Sequence, residues 1–230
     1  MIEQVVEAAR KELVERTLDL TQRFLQVHEL DRDRPPYVAV SMFSADTYLV
    51  YHVVRDHPYW FQVIVSGELV PSRGSFCVVG TDVAAEVRAY LAIASTQLTA
   101  DEITAQIGIP PTSTQRMGAQ RGRSPVARYD KHAWILEPER YVPGGVDEKV
   151  AGLLEAVYDA SERIAGLRDR CSVALNIVYY GWRGNPQFAG FSLDAETVSR
   201  IGALGAEIAF DIYALGPDLP DEEPEDSSPG

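Results

Sequence analysis

The sequence predicts an α+β fold, a two-layer α/β sandwich with a mainly antiparallel sheet, extended at its N-terminus by a long helix and a β-meander. Three observations point there. Apolar residues recur at steps of three and four from residue 2 to residue 28. Three runs rich in β-branched and aromatic residues follow, separated only by short polar links. From residue 84 onward, helix-like and strand-like stretches are intermixed.

The N-terminal stripe consists of Ile2, Val6, Ala9, Leu13, Thr17, Leu20, Phe24 and Val27, which reads as one amphipathic helix over residues 2–28. Such a face must be covered, either by the chain's own sheet or by a second helix in a short coiled-coil seam. DRDRPP, residues 31–36, ends the period. Strands are then expected at 37–43 (YVAVSMF), 47–54 (TYLVYHVV) and 59–66 (YWFQVIVS). The links at 44–46 and 55–58 are too short for a parallel crossover, so the three form an antiparallel meander. GELVPSRG, a turn-rich joint at 67–74, closes a first segment of residues 1–74.

Residues 75–214 are expected to form a second, α/β domain. After a strand at 84–95, Thr99 and Glu102 have the spacing of a capping box, so a helix starts near Ala100. Gly108 can close that helix in the left-handed conformation, and Pro110 and Pro111 cannot continue it. Ile103 and Ile107, four apart, face inward. A long loop leads to a short strand, HAWIL (132–136), and a helix at 147–167 whose broad apolar side includes Val150, Leu153, Leu154, Val157, Ile164 and Leu167. Strands at 172–180 and 187–193 flank a tight turn, Asp194 caps a helix at 195–204 that Gly205 ends, and a last strand runs from 207 to 213.

With 230 residues, 46% of them hydrophobic and 24% charged, the chain has the make-up of an ordinary globular protein able to bury a core. Its net charge of −13 is unevenly spread. Asp218, Asp221, Glu222, Glu223, Glu225 and Asp226 lie in a proline-rich stretch, 215–230, that has almost nothing to bury and reads as a disordered acidic tail. Without those six carboxylates the remainder still stands at −7. Phosphate binding draws on concentrated positive charge, so nucleic acid is not the expected partner. Cys77 and Cys171 sit far apart in apolar runs, as buried thiols rather than a disulfide or a metal pair. The N-terminal run MIEQVVEAARKELVERT lacks the apolar core of a signal peptide, and no window approaches 18 uninterrupted apolar residues. A cytoplasmic protein with no membrane span is expected.

LTADEITAQIGIPPT (98–112), Gly118 shortly after it, the tryptophan-bearing strand HAWIL, a long helix and the closing block FSLDAETVSRIGALGAEIAFDIY occur in that order. Together they resemble the bacterial domain-of-unknown-function 4279 family over roughly residues 84–214. The resemblance implies a compact α/β domain and supplies no reaction, cofactor or catalytic residue. Families of this kind often lie beside toxin and immunity genes, which implies protein binding. Residues 1–70 and the ending PDLPDEEPEDSSPG fall outside it.

The candidate chemistry is sparse. Between Thr112 and Lys131, Arg116, Arg121, Arg123, Arg128 and Lys131 stand against one acid, Asp130. That is a patch for an anion or an acidic partner, or else a solvated loop that meets the acidic tail. Gly118 and Gly122 lack the lysine–threonine pair and strand-to-helix context of a phosphate loop. The histidines His28, His52, His57 and His132 show neither HxH nor HExxH spacing, so no metal site is expected. Asp130 and His132 alternate on an extended segment, as an acid–base pair or an exposed, weakly interacting one. No serine lies in a GxSxG elbow. In YYGWRGNP (179–186), Tyr180, Trp182 and Arg183 are residue types that dominate binding hot spots, unless the turn's aromatics simply cap the core edge. Asp211 and Tyr213 alternate with Phe210 and Ile212 and leave the core face of the last strand.

The expected function is therefore a non-enzymatic protein-interaction module, of an immunity or regulatory type, in a bacterial cytoplasm. Its binding residues are Tyr180, Trp182, Arg183, Arg116, Arg121 and Arg123, and its partner is a protein or a second copy met through the N-terminal helix. No cofactor fingerprint is found. The alternative is an enzyme of unrecognised class with a pocket near Asp130, His132, Tyr180, Arg183 and Asp211.

Overall fold

A computed structural model describes residues 1–41, 44–67, 76–185 and 190–220. Two helices, α1 (Ile2–Glu15) and α2 (Asp19–Val27), lead into strands β1 (Tyr37–Val40), β2 (Thr47–Val53), β3 (Tyr59–Ser66) and the 19-residue β4 (Cys77–Ser95). There follow α3 (Ala100–Ile107), β5 (Ser113–Gln115), β6 (His132–Leu136), α4 (Val146–Ala156), α5 (Ser161–Ala165), β7 (Ser172–Trp182), α6 (Ala195–Leu204) and β8 (Glu207–Leu215). The fold is α+β with a mainly antiparallel sheet in the order β1-β2-β3-β4-β6-β5, and β7 pairs with both β4 and β8. By compactness the chain divides into two units. One comprises Met1–Glu86, Tyr180–Phe188 and Ala214–Gly230, the other Val87–Tyr179 and Ala189–Tyr213. The joint expected at 67–74 falls almost wholly outside the described residues.

In the first unit the expected meander is present, with Val50 opposite Val63 and Tyr48 opposite Val65. Strand alternation puts Tyr48 and Val50 with Phe61, Val63 and Val65 in one core, and Val5, Ala9 and Phe24 from the helices complete it. Each such side chain contributes roughly 1.5–3 kcal/mol on burial. The buried part of the helical face, Val5, Ala9 and Phe24, is thus covered by the chain's own sheet, while Ile2 and Val27 are exposed. The single helix expected over 2–28 is two helices. Arg16 turns left-handed at φ 53°, and the Glu12 carboxylate accepts from the backbone N–H of Thr17 and Leu18 and from the Thr17 hydroxyl, replacing the helical bonds lost there. These hydrogen bonds outweigh the burial of Glu12, and its carboxyl is held below the ordinary range. Part of the expected tail is in place. Leu215 and Leu219 pack on the core, the Trp182 indole N–H donates to Pro217 O at 2.8 Å, and Arg23 donates to Pro220 O at 3.0 and 3.2 Å. Residues 221–230 lie outside the described residues.

In the second unit α3 begins and ends as its sequence predicts. Thr99 and Glu102 cap each other, Gly108 sits at φ 77°, and Ile103 and Ile107 are fully buried. The strand expected at 84–95 is the later part of β4, whose residues 91–95 pair with β6. The helix expected at 147–167 is broken at Val157, where the Ser161 hydroxyl donates to the Tyr158 and Val157 carbonyls and a 3₁₀ turn, Tyr158–Ala160, intervenes. Of the strand expected at 187–193, residues 187–189 lie outside the described residues and 190–193 are not in a strand. Asp194 accepts from Thr197 N at 2.7 Å and Gly205 closes α6 at φ 66°.

Candidate functional site

The most basic loop of the sequence folds as a hairpin arm. Its root is the pairing of β5 with β6, which sets Thr114 opposite Trp134. Trp134 is fully buried and its indole N–H donates to Ile109 O at 3.3 Å, so the root is fixed in the core. Thr112 adds to it. Its backbone N–H and hydroxyl both donate to Ile135 O, at 2.8 and 3.0 Å, and the hydroxyl accepts from Glu137 N at 2.9 Å. Glu137 in turn receives both arms of the Arg88 guanidinium at 2.6 and 2.9 Å.

Beyond the strands the two limbs stay zipped. Gly118 N donates to Tyr129 O at 2.8 Å, Tyr129 N to Ala119 O at 3.0 Å, and Arg121 N to Ala127 O at 2.8 Å. Met117 N donates to Nδ1 of His132 at 3.3 Å, which makes that nitrogen the unprotonated one. Gly118 and Gly122 turn left-handed, at φ 79° and 61°, a conformation that costs other residues about 1–2 kcal/mol. The bases are therefore displayed on an ordered arm.

Arg116, Arg121, Arg123, Arg128 and Lys131 are exposed, as is the single acid Asp130. Among the described residues none of these five bases is in an ion pair. Between them stand two apolar side chains, Met117 at 43% and Val126 at 84% exposure. An isolated apolar residue in a sequence reads as buried, so the exposure of neither is apparent from the sequence; their interleaving with arginine is the signal. Exposed ion pairs contribute only about 0–1 kcal/mol each, so charge alone would give such an arm little affinity.

The structure thus brings Arg116, Arg121 and Arg123 together. The other three predicted binding residues belong to the first unit and serve it differently. Trp182 is 4% exposed, lies edge-on to Phe24 at 5.8 Å, and has Gly184 folded over it so closely that a Cβ there would come within 2.3 Å of its ring. Tyr180 is half-buried. Arg183 is exposed, and its backbone N–H donates to Leu215 O at 2.9 Å. The residues of the enzyme reading are divided, with Asp130, His132 and Asp211 in the second unit and Tyr180 and Arg183 in the first; Asp130 and Asp211 are exposed.

A family profile, described as that of a domain of unknown function (DUF4279), matches residues 85–215 and so includes the whole arm. Comparison with curated proteins and with solved structures gave no match.

Proposed function

The chain belongs to the DUF4279 family, and from that premise we propose that it is a non-enzymatic protein-interaction module whose arginine arm docks on an acidic surface of a partner protein. The observation that carries this is the arm itself, five bases in no ion pair among the described residues and two exposed apolar side chains on a zipped hairpin in a chain of net charge −13. Arginine with interleaved apolar residues is the composition of protein interfaces, where a guanidinium brings area as well as charge. A nucleic acid would meet the long-range repulsion of the rest of the chain. The reading extends to an immunity or regulatory role in a bacterial cytoplasm. It is supported by two free cysteines, which suit a reducing compartment, and by the fact that no helix among the described residues is long and apolar enough to cross a membrane.

The test is a photo-crosslinker placed at Val126 to retain the partner, followed by affinity measurement with the purified pair. The Arg116→Ser, Arg121→Ser, Arg123→Ser variant should bind about tenfold or more weakly, at about 0.5 kcal/mol for each exposed ion pair removed from the interface, with an unchanged melting curve. Unchanged affinity for every protein retained at Val126 would overturn the reading.

A further inference from the structure

A second set of arginines surrounds a cavity of about 680 Å³ within the first unit. Arg10 reaches it from α1, Arg16 from the turn that ends α1, Arg32 and Arg34 from the segment between α2 and β1, and Arg55 from just beyond β2. Glu29 and Asp31 are the acids of the lining, so five guanidiniums face two carboxylates and leave three positive charges in excess. Arg55 pairs with Glu29 at 2.7 Å, Arg34 with Asp31 at 3.3 Å, and Arg10 with Glu7, outside the lining, at 3.1 Å. Arg16 and Arg32 are in no ion pair among the described residues. Val6, Leu13 and Leu25 supply an apolar wall.

Two further features lie in or beside the cavity wall. Among the described residues only Arg16 and Asp56 are non-glycine residues at positive φ, 53° and 63°; the first lines the cavity and the second follows Arg55. Strained backbone of this kind costs about 1–3 kcal/mol and gathers at ligand sites, because the surrounding fold must hold it against relaxation. The other feature is His52, which also lines the cavity. Its Nε2 is the one buried side-chain nitrogen or oxygen among the described residues with no hydrogen-bond partner. A buried polar atom left unpaired costs about 1–3 kcal/mol, so the fold bears that cost in a residue of the cavity wall.

We infer that this cavity binds a small organic anion carrying at least two negative charges, as phosphate or carboxylate, with an apolar body. The guanidinium fork matches either group in two parallel hydrogen bonds. Its volume falls within the range of about 300–1,000 Å³ typical of small-molecule sites. Arg16 and Arg32 hold the acid, and the apolar wall takes the body. The site lies outside the arm and is independent of the arm's role.

The experiment is calorimetric titration of the full chain with four probes: phenyl phosphate, phenylsuccinate, benzyl alcohol and a hexaglutamate peptide. At least one of the two dianions should bind one to one, and the stronger of them identifies whether phosphate or carboxylate is the acid preferred. Benzyl alcohol should not bind. The Arg16→Gln, Arg32→Gln variant, changed at two exposed positions, should bind the dianion about tenfold or more weakly, and the arm variant should bind it as the parent does. The inference is overturned if neither dianion binds, if the Arg16, Arg32 variant binds as the parent does, or if hexaglutamate binds more tightly than both.

Discussion

The two units each gather five basic residues, yet they use them in opposite ways. On the arm the bases occur within residues 116–131, project from a hairpin and face solvent. In the first unit the arginines come from positions as far apart as 10 and 55, and the fold turns them toward one concavity. The cation is the same; its surroundings decide what it can hold. On the arm, water and salt screen each charge, so the proposed partner would need an extended surface of its own. Around the cavity the arginines are also exposed, but they converge beside an apolar wall, where the proposed small anion could meet several of them at once.

Removing the arm's foundation breaks the comparison most severely. Trp134→Ala should destabilise the chain by about 3–5 kcal/mol in urea unfolding, because the ring is fully buried where β4, β5 and β6 pair. A loss below about 1 kcal/mol would show that the arm does not draw its order from the core. A pH titration comes next and addresses the cavity. Burial, with the Arg10 charge second, pushes His52 from its ordinary 6.5 down to about 4, so the folded chain keeps this ring neutral while the unfolded chain protonates it. The associated stability is whole above pH 6.5 and is lost as pH falls toward about 4, by roughly 3 kcal/mol in all. His28, held down mainly by burial, acts in the same direction. His52→Phe should flatten that slope in thermal melts taken from pH 7 to pH 4, and an unaltered slope would remove His52 as its source. The smallest effect belongs to the arm's tip. Gly122→Ala meets no atom within 4 Å but must hold φ 61°, so it should cost about 1 kcal/mol of local backbone strain and weaken partner binding more than it lowers the melting temperature. A stabilised variant would show that the turn does not need the left-handed residue.

Much of the fold is legible in the residues. The caps of α3 and α6 can be read because Thr99, Glu102, Gly108, Asp194 and Gly205 act on their near neighbours. The meander follows from alternation and link length. The break after α1 is hidden because the apolar stripe resumes in phase beyond it, and the Glu12 carboxylate that makes the break tolerable looks like any helical surface acid. The early part of β4 does not show in the sequence because Val78, Gly80, Thr81 and Asp82 do not alternate, and their partners lie in β3. On the arm the charge is evident and the zipper is not, since Gln120 and Arg128 pair through backbone alone. Trp182 has the composition of a hot spot and the position of a core residue; composition cannot separate the two. The cavity leaves no trace in the sequence, because its arginines are neighbours only after α1, α2 and β2 have come together.

The return of residues 214–220 to the first unit has a consequence for how the protein is made. During synthesis the two helices and the meander emerge before the second unit, while Trp182, which meets Phe24, and Pro217 and Pro220, which receive bonds from Trp182 and Arg23, emerge long after them. The helices and meander, which precede the second unit in the chain, are therefore completed only after it, with the aromatic end of their core uncovered for as long as the second unit is being translated. That interval is when a nascent chain of this kind is most exposed to mispairing and most in need of a chaperone, and it closes only when residue 220 has cleared the exit tunnel.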